Sequence, residues 1–544
     1  KHFALYGAAE AGRDYNTVDM SRTRMYNAYF PPYKAAIDAG AGSVMASFNE
    51  IDGVPATGNK WLLTDVLRNQ WGFDGFVVTD YTGIYEMVAH GVGDFETVSL
   101  QALEAGVDMD MVSEGLFSFI RGAIDSGKLS EKTLDQACRR ILEAKYKLGL
   151  FDNPYKYCDA ERAATSIYTS RHRTAARKIA AESFVLLKNE GGLLPLRKGG
   201  TVAVIGPLAG TRENMPGTWS VAANHGEAHS LIEGLKETLG DKVNFLYAKG
   251  SNLMDDAAYE ERATMFGRSL GRDGRSAQEM LGEALRTAAR SDVIIAALGE
   301  ASEMSGESSS RSELGLPDAQ QKLLKALLAT GKPVVLVLLD GRASSVNWAA
   351  AHIPAILHGW FPGEFCGQAV AETLFGDNNP GGRLAVTFPK SVGQIPFAFP
   401  FKPGSDESNQ TSVWGALFPF GHGLSYTTFS YSGLRIFPET QSPDGNIDVS
   451  CEVTNTGDRA GDEVVQLYLN DVVSSVTTYT QVLRGFERIH LEPGETQTVT
   501  FTLTPQDLGL WDADMHFTVE PGRFDVRIGA SSRDIRLQGS FQIR

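Results

Sequence analysis

The first candidate for chemistry in this sequence is an acid at the end of an apolar run. Residues 73 to 84 read FDGFVVTDYTGI, in which Asp80 follows a short apolar strand and precedes the start of a helix. An Asp in this place often caps the helix by accepting backbone N–H bonds. It can also serve as a nucleophile for glycosyl transfer, because a carboxylate attacks an anomeric carbon and later leaves it again. A position at the carboxyl end of a barrel strand favours the catalytic interpretation.

A carboxylate nucleophile of this kind needs a second acid that holds a proton near neutral pH. A long, Ser-rich loop after the apolar run DVIIAALGE offers four candidates, which are Glu300, Glu303, Glu307 and Glu313. A solvated surface loop is the ordinary explanation for such a cluster of acids. Spacing alone does not select one of the four.

Composition narrows the class of function. A chain of 544 residues indicates two to four domains. The net charge of −16 argues against a nucleic-acid partner, whose phosphates need a basic surface, and is compatible with a neutral small substrate. No run approaches the ~20 apolar residues that span a bilayer, so no membrane partner is expected. The sequence contains no Cys-x-x-Cys, His-Glu-x-x-His or EF-hand pattern, and we expect no cofactor and no metal ligand among the site residues.

The elements that position Asp80 lie in residues 1–155. Short apolar runs alternate there with amphipathic helical stretches, in the order HFALY (2–6), SVMASFN (43–49), GFVVTD (75–80) and GVDMDM (106–111). This alternation predicts βα units on a parallel sheet. A (β/α)₈ barrel has eight strands over ~250 residues, so four units predict the C-terminal half of such a barrel.

The rest of the chain predicts a linker and two further domains. Residues 156–171 are polar and irregular and indicate the linker. Residues 172–430 contain continuous apolar runs, which are typical of a parallel sheet buried on both faces and predict an α/β sandwich domain with a connecting segment. The five predicted strands of this sheet are TVAVIGP (201–207), NFLYAKG (244–250), DVIIAALGE (292–300), PVVLVLLDG (333–341) and AILHGWFPG (355–363). Residues 431–544 alternate short strands with turns such as EPGE and EPGR, and predict a fibronectin type III-like β-sandwich.

The chain resembles the glycoside hydrolase family 3 β-glucosidases, and among them most closely the periplasmic β-glucosidases of Gram-negative bacteria. The resemblance runs through all three regions, in stretches such as KHFALYGAAEAGRDYNTVDMS, FNEIDGVPATGNKWLLTDVLRNQWGFDGFVVTD, NNPGGRLAVTFPKSVGQIP, FPFGHGLSYTTF and RGFERIHLEPGETQTVTF. It implies an exo-acting, retaining β-glucosidase that cleaves terminal non-reducing β-D-glucosyl residues from short oligosaccharides or aryl glucosides. It also implies a covalent glycosyl-enzyme and a periplasmic or secreted location.

The resemblance also implies roles for individual residues. Asp80, in a Thr-Asp-Tyr tripeptide, matches the family's nucleophile, and Glu307, ahead of a Ser-Ser-Arg segment, matches the acid/base of close relatives. Lys1 and His2 match a Lys-His pair that holds sugar hydroxyls. The other substrate-binding residues that the resemblance implies are Met45, Phe48, Tyr81, Trp219 and Ser220.

Two departures from the family leave the substrate open. Phe48 stands where many members carry Tyr, and Tyr81 stands where many carry Trp. The alternatives are a β-xylosidase or broad β-glycosidase on the same framework, or a non-catalytic carbohydrate-binding protein.

The expected partners follow from the incomplete barrel. Four βα units cannot close a barrel, because an unpaired edge and an apolar interior would face water. We therefore expect Lys1 to be a cleavage or numbering boundary, and a separate chain segment to supply the N-terminal half. The other expected partners are a small carbohydrate substrate and a second copy of the chain in a homodimer.

Overall fold

The computed structural model describes residues 1–220, 222–262, 270–396, 399–403 and 413–544. The chain divides into two compact units, Lys1–Ile167 with Leu510–Thr518, and Tyr168–Gly509 with Val519–Arg544. The division after Ile167 falls inside the segment 156–171 expected to be a linker, where a helix spans Ala160–Ser166. Within the described ranges, no helix is both long enough and apolar enough to cross a membrane.

The first unit contains four parallel strand positions in chain order, at Phe3, β1 (Ser43–Met45), β4 (Phe76–Val78) and Met109. Between β1 and β4, the short strands β2 (Glu50–Ile51) and β3 (Val54–Pro55) pair with each other in an antiparallel hairpin. β1 pairs in parallel with β4, and single parallel bridges join Phe3 to Ala46 and Val78 to Met109. All four predicted runs therefore lie side by side, although the outer two make only bridges. Their side chains form the core of the unit with those of the helices, as Phe3, Val44 and Val77 do.

Helices connect these strand positions, as the amphipathic stretches predict. They span Arg22–Arg24, Met25–Tyr29, Pro31–Asp38, Trp61–Gln70, Gly83–Ala89, Phe95–Ala105, Gly115–Asp125, Glu131–Lys147 and Ala160–Ser166. The helix Trp61–Gln70 buries its apolar face through Leu62, Leu63, Val66 and Leu67.

The second unit is built on a six-stranded sheet. Its strands are β5 (Val185–Asn189), β6 (Thr201–Ile205), β7 (Asn244–Ala248), β8 (Val293–Gly299), β9 (Val334–Leu339) and β10 (Ala355–His358). They lie in the order β5-β10-β9-β8-β6-β7, with β5 antiparallel and the others parallel. The apolar runs that indicated a doubly covered sheet are buried throughout β9 and β10, as predicted. The sequence analysis did not predict β5, whose apolar run follows directly on a helix.

Helices cover this sheet and loops extend from it. The helices of the unit span Ser170–Ser183, Leu231–Leu239, Ala257–Arg262, Ala277–Ala289, Asp318–Leu328, Asn347–His352, Cys366–Leu374 and Pro505–Leu508. Because five strands are parallel, the loops that follow β6, β8, β9 and β10 leave the sheet at one edge, where α/β folds bind ligands.

The C-terminal region forms the predicted β-sandwich. Its strands are β11 (Phe429–Phe437), β12 (Thr440–Gln441), β13 (Ile447–Asn455), β14 (Gly461–Asp471), β15 (Val482–Leu491), β16 (Thr496–Leu503), β19 (Gly522–Gly529) and β20 (Ile535–Ile543). Between β16 and β19 along the chain, β17 (Leu510–Trp511) and β18 (Phe517–Thr518) pair with each other in a separate hairpin. The two sheets have the orders β11-β13-β16 and β12-β20-β19-β14-β15. The hairpin β17-β18 belongs to the first unit, where Trp511 and Asn27 exchange two hydrogen bonds of 2.9 and 3.0 Å.

Candidate active site

Asp80 lies at the carboxyl end of β4 in the first unit. Its Oδ1 accepts a hydrogen bond from the backbone N–H of Tyr81 at 2.7 Å. The next helix, Gly83–Ala89, begins after Thr82, which has a left-handed φ of 58° and forms no side-chain cap. The Asp80 carboxylate therefore does not cap the helix in this structure.

The backbone that leads to Asp80 is fixed by the neighbouring strand position. The N–H of Thr79 donates to the carbonyl of Met109 at 3.0 Å, and the Thr79 hydroxyl accepts from the N–H of Met111 at 2.9 Å. Thr79 is fully buried, whereas the side chain of Asp80 keeps 18% of its surface exposed. The structure thus holds an accessible carboxylate directly after the buried residue Thr79, at the end of β4.

The imidazole of His2 lies close to this carboxylate. Its Nε2 lies 3.5 Å from Oδ2 of Asp80. Burial lowers the pKa of His2 below its ordinary value of 6.5, against the opposing effect of the Asp80 charge, and the positive charge of Lys1 lowers it further. His2 is therefore neutral at pH 7. Lys1 itself is exposed.

A row of aromatic rings extends from His2. The ring centroids lie 5.0 Å apart for His2 and Tyr6, 6.0 Å for Tyr6 and Tyr15, and 5.5 Å for Tyr15 and Phe48. The row places the predicted pocket residue Phe48 near the site. The sequence analysis did not single out Tyr6 and Tyr15, although both lie in YGAAEAGRDYN, directly after the strand position at Phe3.

The two remaining predicted residues of this unit differ in exposure. Met45 is half-buried at the end of β1, and its carbonyl accepts from the N–H of Phe3 at 2.8 Å. Tyr81 is 60% exposed. An exposed ring next to Asp80 is free to contact a ligand.

The second unit separates the four candidate acids by their surroundings. Glu300 and Glu303 are buried, Glu307 is half-buried and Glu313 is exposed. Glu300 is also neutralised by ion pairs with Arg311 and Arg342. An acid/base must reach the substrate and exchange its proton with water, and this condition favours Glu307 or Glu313 over the two buried acids.

The loop that carries Glu307 contacts the loop that carries Trp219 and Ser220. The Thr218 hydroxyl donates to the carbonyl of Ser302, and a Cβ at Gly306 would lie 2.4 Å from Cγ2 of Thr218. Only glycine at 306 therefore allows this approach.

In the loop that carries Trp219 and Ser220, the Ser220 side chain is hydrogen-bonded within the loop and the Trp219 side chain is exposed to solvent. Ser220 donates its hydroxyl to the carbonyl of Gly217 at 2.5 Å, and Trp219 is 69% exposed. The predicted stretch GTWSVAA also contains Val221, which lies outside the described residues. The structure therefore brings Trp219, Ser220 and Glu307 to one edge of the six-stranded sheet.

Comparison with known families gives three matches that together span most of the chain. Residues 1–144 match the glycosyl hydrolase family 3 N terminal domain, and residues 184–426 match the family 3 C-terminal domain. Residues 463–532 match the fibronectin type III-like domain.

Individual relatives agree with these matches. The chain is 43% identical to a periplasmic beta-glucosidase of Salmonella typhimurium, over 100% of this chain and 73% of that protein. It is 39% identical to a beta-xylosidase of Formosa agariphila, over 98% of this chain and 73% of that protein. Among solved structures, a beta-glucosidase from Listeria innocua in complex with isofagomine has a TM-score of 0.91 and 35% identity, covering 100% of this chain and 74% of that one.

Proposed function

The chain belongs to glycosyl hydrolase family 3 and is a glycoside hydrolase, and from this premise we propose that it is an exo-acting, retaining β-glucosidase. It removes terminal non-reducing β-D-glucosyl residues from short oligosaccharides or aryl glucosides. The observation that carries the proposal is the Asp80 carboxylate, which is accessible at a strand end and lies 3.5 Å from neutral His2.

Asp80 and Glu307 divide the chemistry. An Asp80 oxygen bonds to the anomeric carbon while the bond to the leaving oxygen breaks, and Glu307 gives its proton to that oxygen. Water then attacks the anomeric carbon, Glu307 takes the water proton, and the bond to Asp80 breaks. Two inversions at one carbon retain the β configuration. Retention needs the two carboxyl groups about 5–5.5 Å apart during catalysis.

The surrounding side chains bind the sugar. Lys1, as a charged donor, and His2, as a neutral one, contact its hydroxyls, and a hydrogen bond from the charged ammonium adds about 1.5–3 kcal/mol. Met45, Phe48, Tyr81, Trp219 and Ser220 are the further residues proposed to contact the sugar, on the family resemblance.

Proton NMR of the first product formed tests the retaining mechanism. Fresh hydrolysis of an aryl β-glucoside should release β-glucose, which then mutarotates to the α anomer. Initial release of α-glucose would show inversion and exclude a covalent intermediate on Asp80.

A β-xylosidase is the second candidate, because two relatives from Formosa agariphila bear that name or a putative form of it. A panel of aryl β-glucosides and β-xylosides separates the two functions by kcat/KM.

We also propose that a further segment of about 200 residues completes a (β/α)₈ barrel around the four strand positions. An apolar cavity of about 550 Å³ opens in the first unit beside the outer strand position, lined by Met109, Val112, Leu116 and Phe117. Phe117 is 92% exposed, and such a surface is typical of an interface. Intact mass and denaturing electrophoresis of the purified active enzyme should show the additional segment. A folded, monomeric chain of 58.9 kDa that hydrolyses cellobiose would contradict the proposal.

The periplasm or the extracellular space is the proposed location, on the similarity to the periplasmic relative of Salmonella typhimurium. Cell fractionation with an activity assay tests it. Activity confined to the cytoplasmic fraction would contradict it.

A further inference from the structure

A single buried carboxylate, that of Glu300, contacts the loop that carries Glu307. Glu300 is the first residue after β8 and is 1% exposed. Its Oε1 pairs with Nη1 of Arg311. Its Oε2 lies 3.0 Å from Nε of Arg342 and accepts a hydrogen bond from the hydroxyl of Ser305. Both oxygens of Glu300 are therefore used.

These contacts hold the loop on both sides of Glu307. Ser305 precedes Glu307 and Arg311 follows it, and both bind the same carboxylate. Arg342 also donates to the carbonyl of Met304, and Arg311 donates through Nη2 to the carbonyl of Gly315 at 2.9 Å. The ion pair between Glu300 and Arg311 thus joins the two ends of this segment, and we call the closed loop with its contacts to Ser305 and Arg342 the ring.

The ring is buried, and this makes its contacts costly to break. The side chains of Arg311 and Arg342 are 7% and 22% exposed. Loss of one partner from a buried ion pair leaves an uncompensated charge in a medium of low dielectric constant. Buried ion pairs add little net stability, but in some proteins they fix a particular geometry.

We propose that Glu300 is a positioning residue for Glu307. The inference rests on the proposed role of Glu307 as the acid/base. A catalytic group must be held within about 0.5 Å of its productive position, and a loop side chain reaches that precision only if its supporting contacts are fixed. Glu300, with Arg311, Arg342 and Ser305, supplies those contacts.

The test compares two substrates that differ in their need for an acid. Dinitrophenolate leaves without a proton, whereas the glucose released from cellobiose needs one, and kcat/KM reports the glycosylation step alone. In the complete enzyme as its gene encodes it, Glu300→Gln should lower kcat/KM for cellobiose by about 100-fold, the cost of a misplacement of about 1 Å. The value for dinitrophenyl β-glucoside should change little.

Glu463→Gln is the matched control. Glu463 and Arg383 form a buried ion pair of 2.8 Å, with side chains 5% and 8% exposed, and Glu463 lies in strand β14 of the sandwich. Its loss should affect both substrates by the same factor. If Glu300→Gln also lowered both substrates equally, the positioning role would be overturned.

Two more variants keep the test decisive. Arg311→Lys keeps the charge but loses the fork that bonds Glu300 and Gly315, so it should show the same selective loss if Glu300→Gln does not fold. An equal loss on both substrates would again overturn the proposal.

Glu307→Ala must be selective for cellobiose in the same assay. A non-selective Glu307→Ala would refute the role of Glu307, and the positioning role with it. A selective Glu307→Ala beside a non-selective Glu300→Gln would refute the positioning role alone.

Discussion

The two proposed catalytic carboxylates are held in place in different ways. Asp80 follows a strand, and backbone hydrogen bonds at Thr79 and Tyr81 fix it. Glu307 lies on a long loop, where buried ion pairs of side chains replace the backbone contacts of a strand. A nucleophile that forms a bond to carbon must be placed precisely, and the end of a strand provides a rigid position for it. An acid/base on a loop depends on side chains, so more substitutions should disturb it.

Of the substitutions that test this comparison, Asp80→Asn should have the largest effect on turnover. The amide is not a competent nucleophile, and kcat should fall by about four or more orders of magnitude. The melting temperature should stay close to that of the parent, because the Asn oxygen can still accept from the N–H of Tyr81. Steady-state kinetics with thermal melting measures both quantities.

Asp94→Asn is the matched control for that substitution. Asp94 caps the helix Phe95–Ala105 by accepting from the N–H of Thr97 at 2.9 Å, and Asn caps a helix equally well. Its kinetics should match the parent. Substantial turnover by Asp80→Asn would mean that another group forms the bond to the sugar.

Glu307→Ala should have the next largest effect. Turnover of cellobiose should fall by about 10²- to 10⁴-fold, the usual contribution of general acid–base catalysis. Azide should restore turnover of dinitrophenyl β-glucoside, because it attacks the glycosyl-enzyme without a base. The exposed Glu313→Ala on the same loop should keep parental activity. If azide failed to rescue Glu307→Ala while Glu313→Ala lost activity, the acid/base would be Glu313.

His2→Gln should have a smaller effect on turnover. Loss of a hydrogen bond to the sugar in the transition state should lower kcat and kcat/KM together by about 10- to 100-fold. His516→Gln in the hairpin β17-β18 is the control, because His516 is 78% exposed in the same unit. An unchanged kcat in His2→Gln would remove His2 from the site.

The stability of the first unit should depend weakly on pH through His2. The folded protein holds the pKa of His2 below 6.5, mainly through burial. The unfolded chain binds the proton first as pH falls through 6.5, so the free energy of unfolding falls on acidification. Denaturant titration between pH 7.5 and pH 5 should show a smaller loss in His2→Gln than in the parent. Equal losses would assign the pH dependence to other groups.

Local pattern was enough to predict most of the fold. Apolar runs and turns gave the four strand positions of the first unit, five strands of the central sheet and the β-sandwich. The antiparallel strand β5 was missed, because its run resembles the end of the preceding helix. The hairpin at Trp511 was missed because its partner, Asn27, lies 484 residues away in the sequence.

The candidate site was predictable only in part. Asp80 stood out because an acid ended an apolar strand, and resemblance to the family selected Glu307 from four acids. No local pattern indicates that Glu300 binds Arg342, since that contact joins the ends of two strands. The rings of Tyr6 and Tyr15 also meet only in the folded chain.

The covalent intermediate on Asp80 is the central claim, and trapping with a 2-fluoro β-glucoside bearing a dinitrophenolate leaving group tests it most directly. The fluorine slows hydrolysis of the glycosyl-enzyme, so one sugar should accumulate per active site with a burst of dinitrophenolate. Peptide mass spectrometry should then place the sugar on the peptide that contains Asp80, and Asp80→Asn should remain unlabelled. A burst with the sugar on another carboxylate, or turnover with no labelled enzyme, would contradict the account.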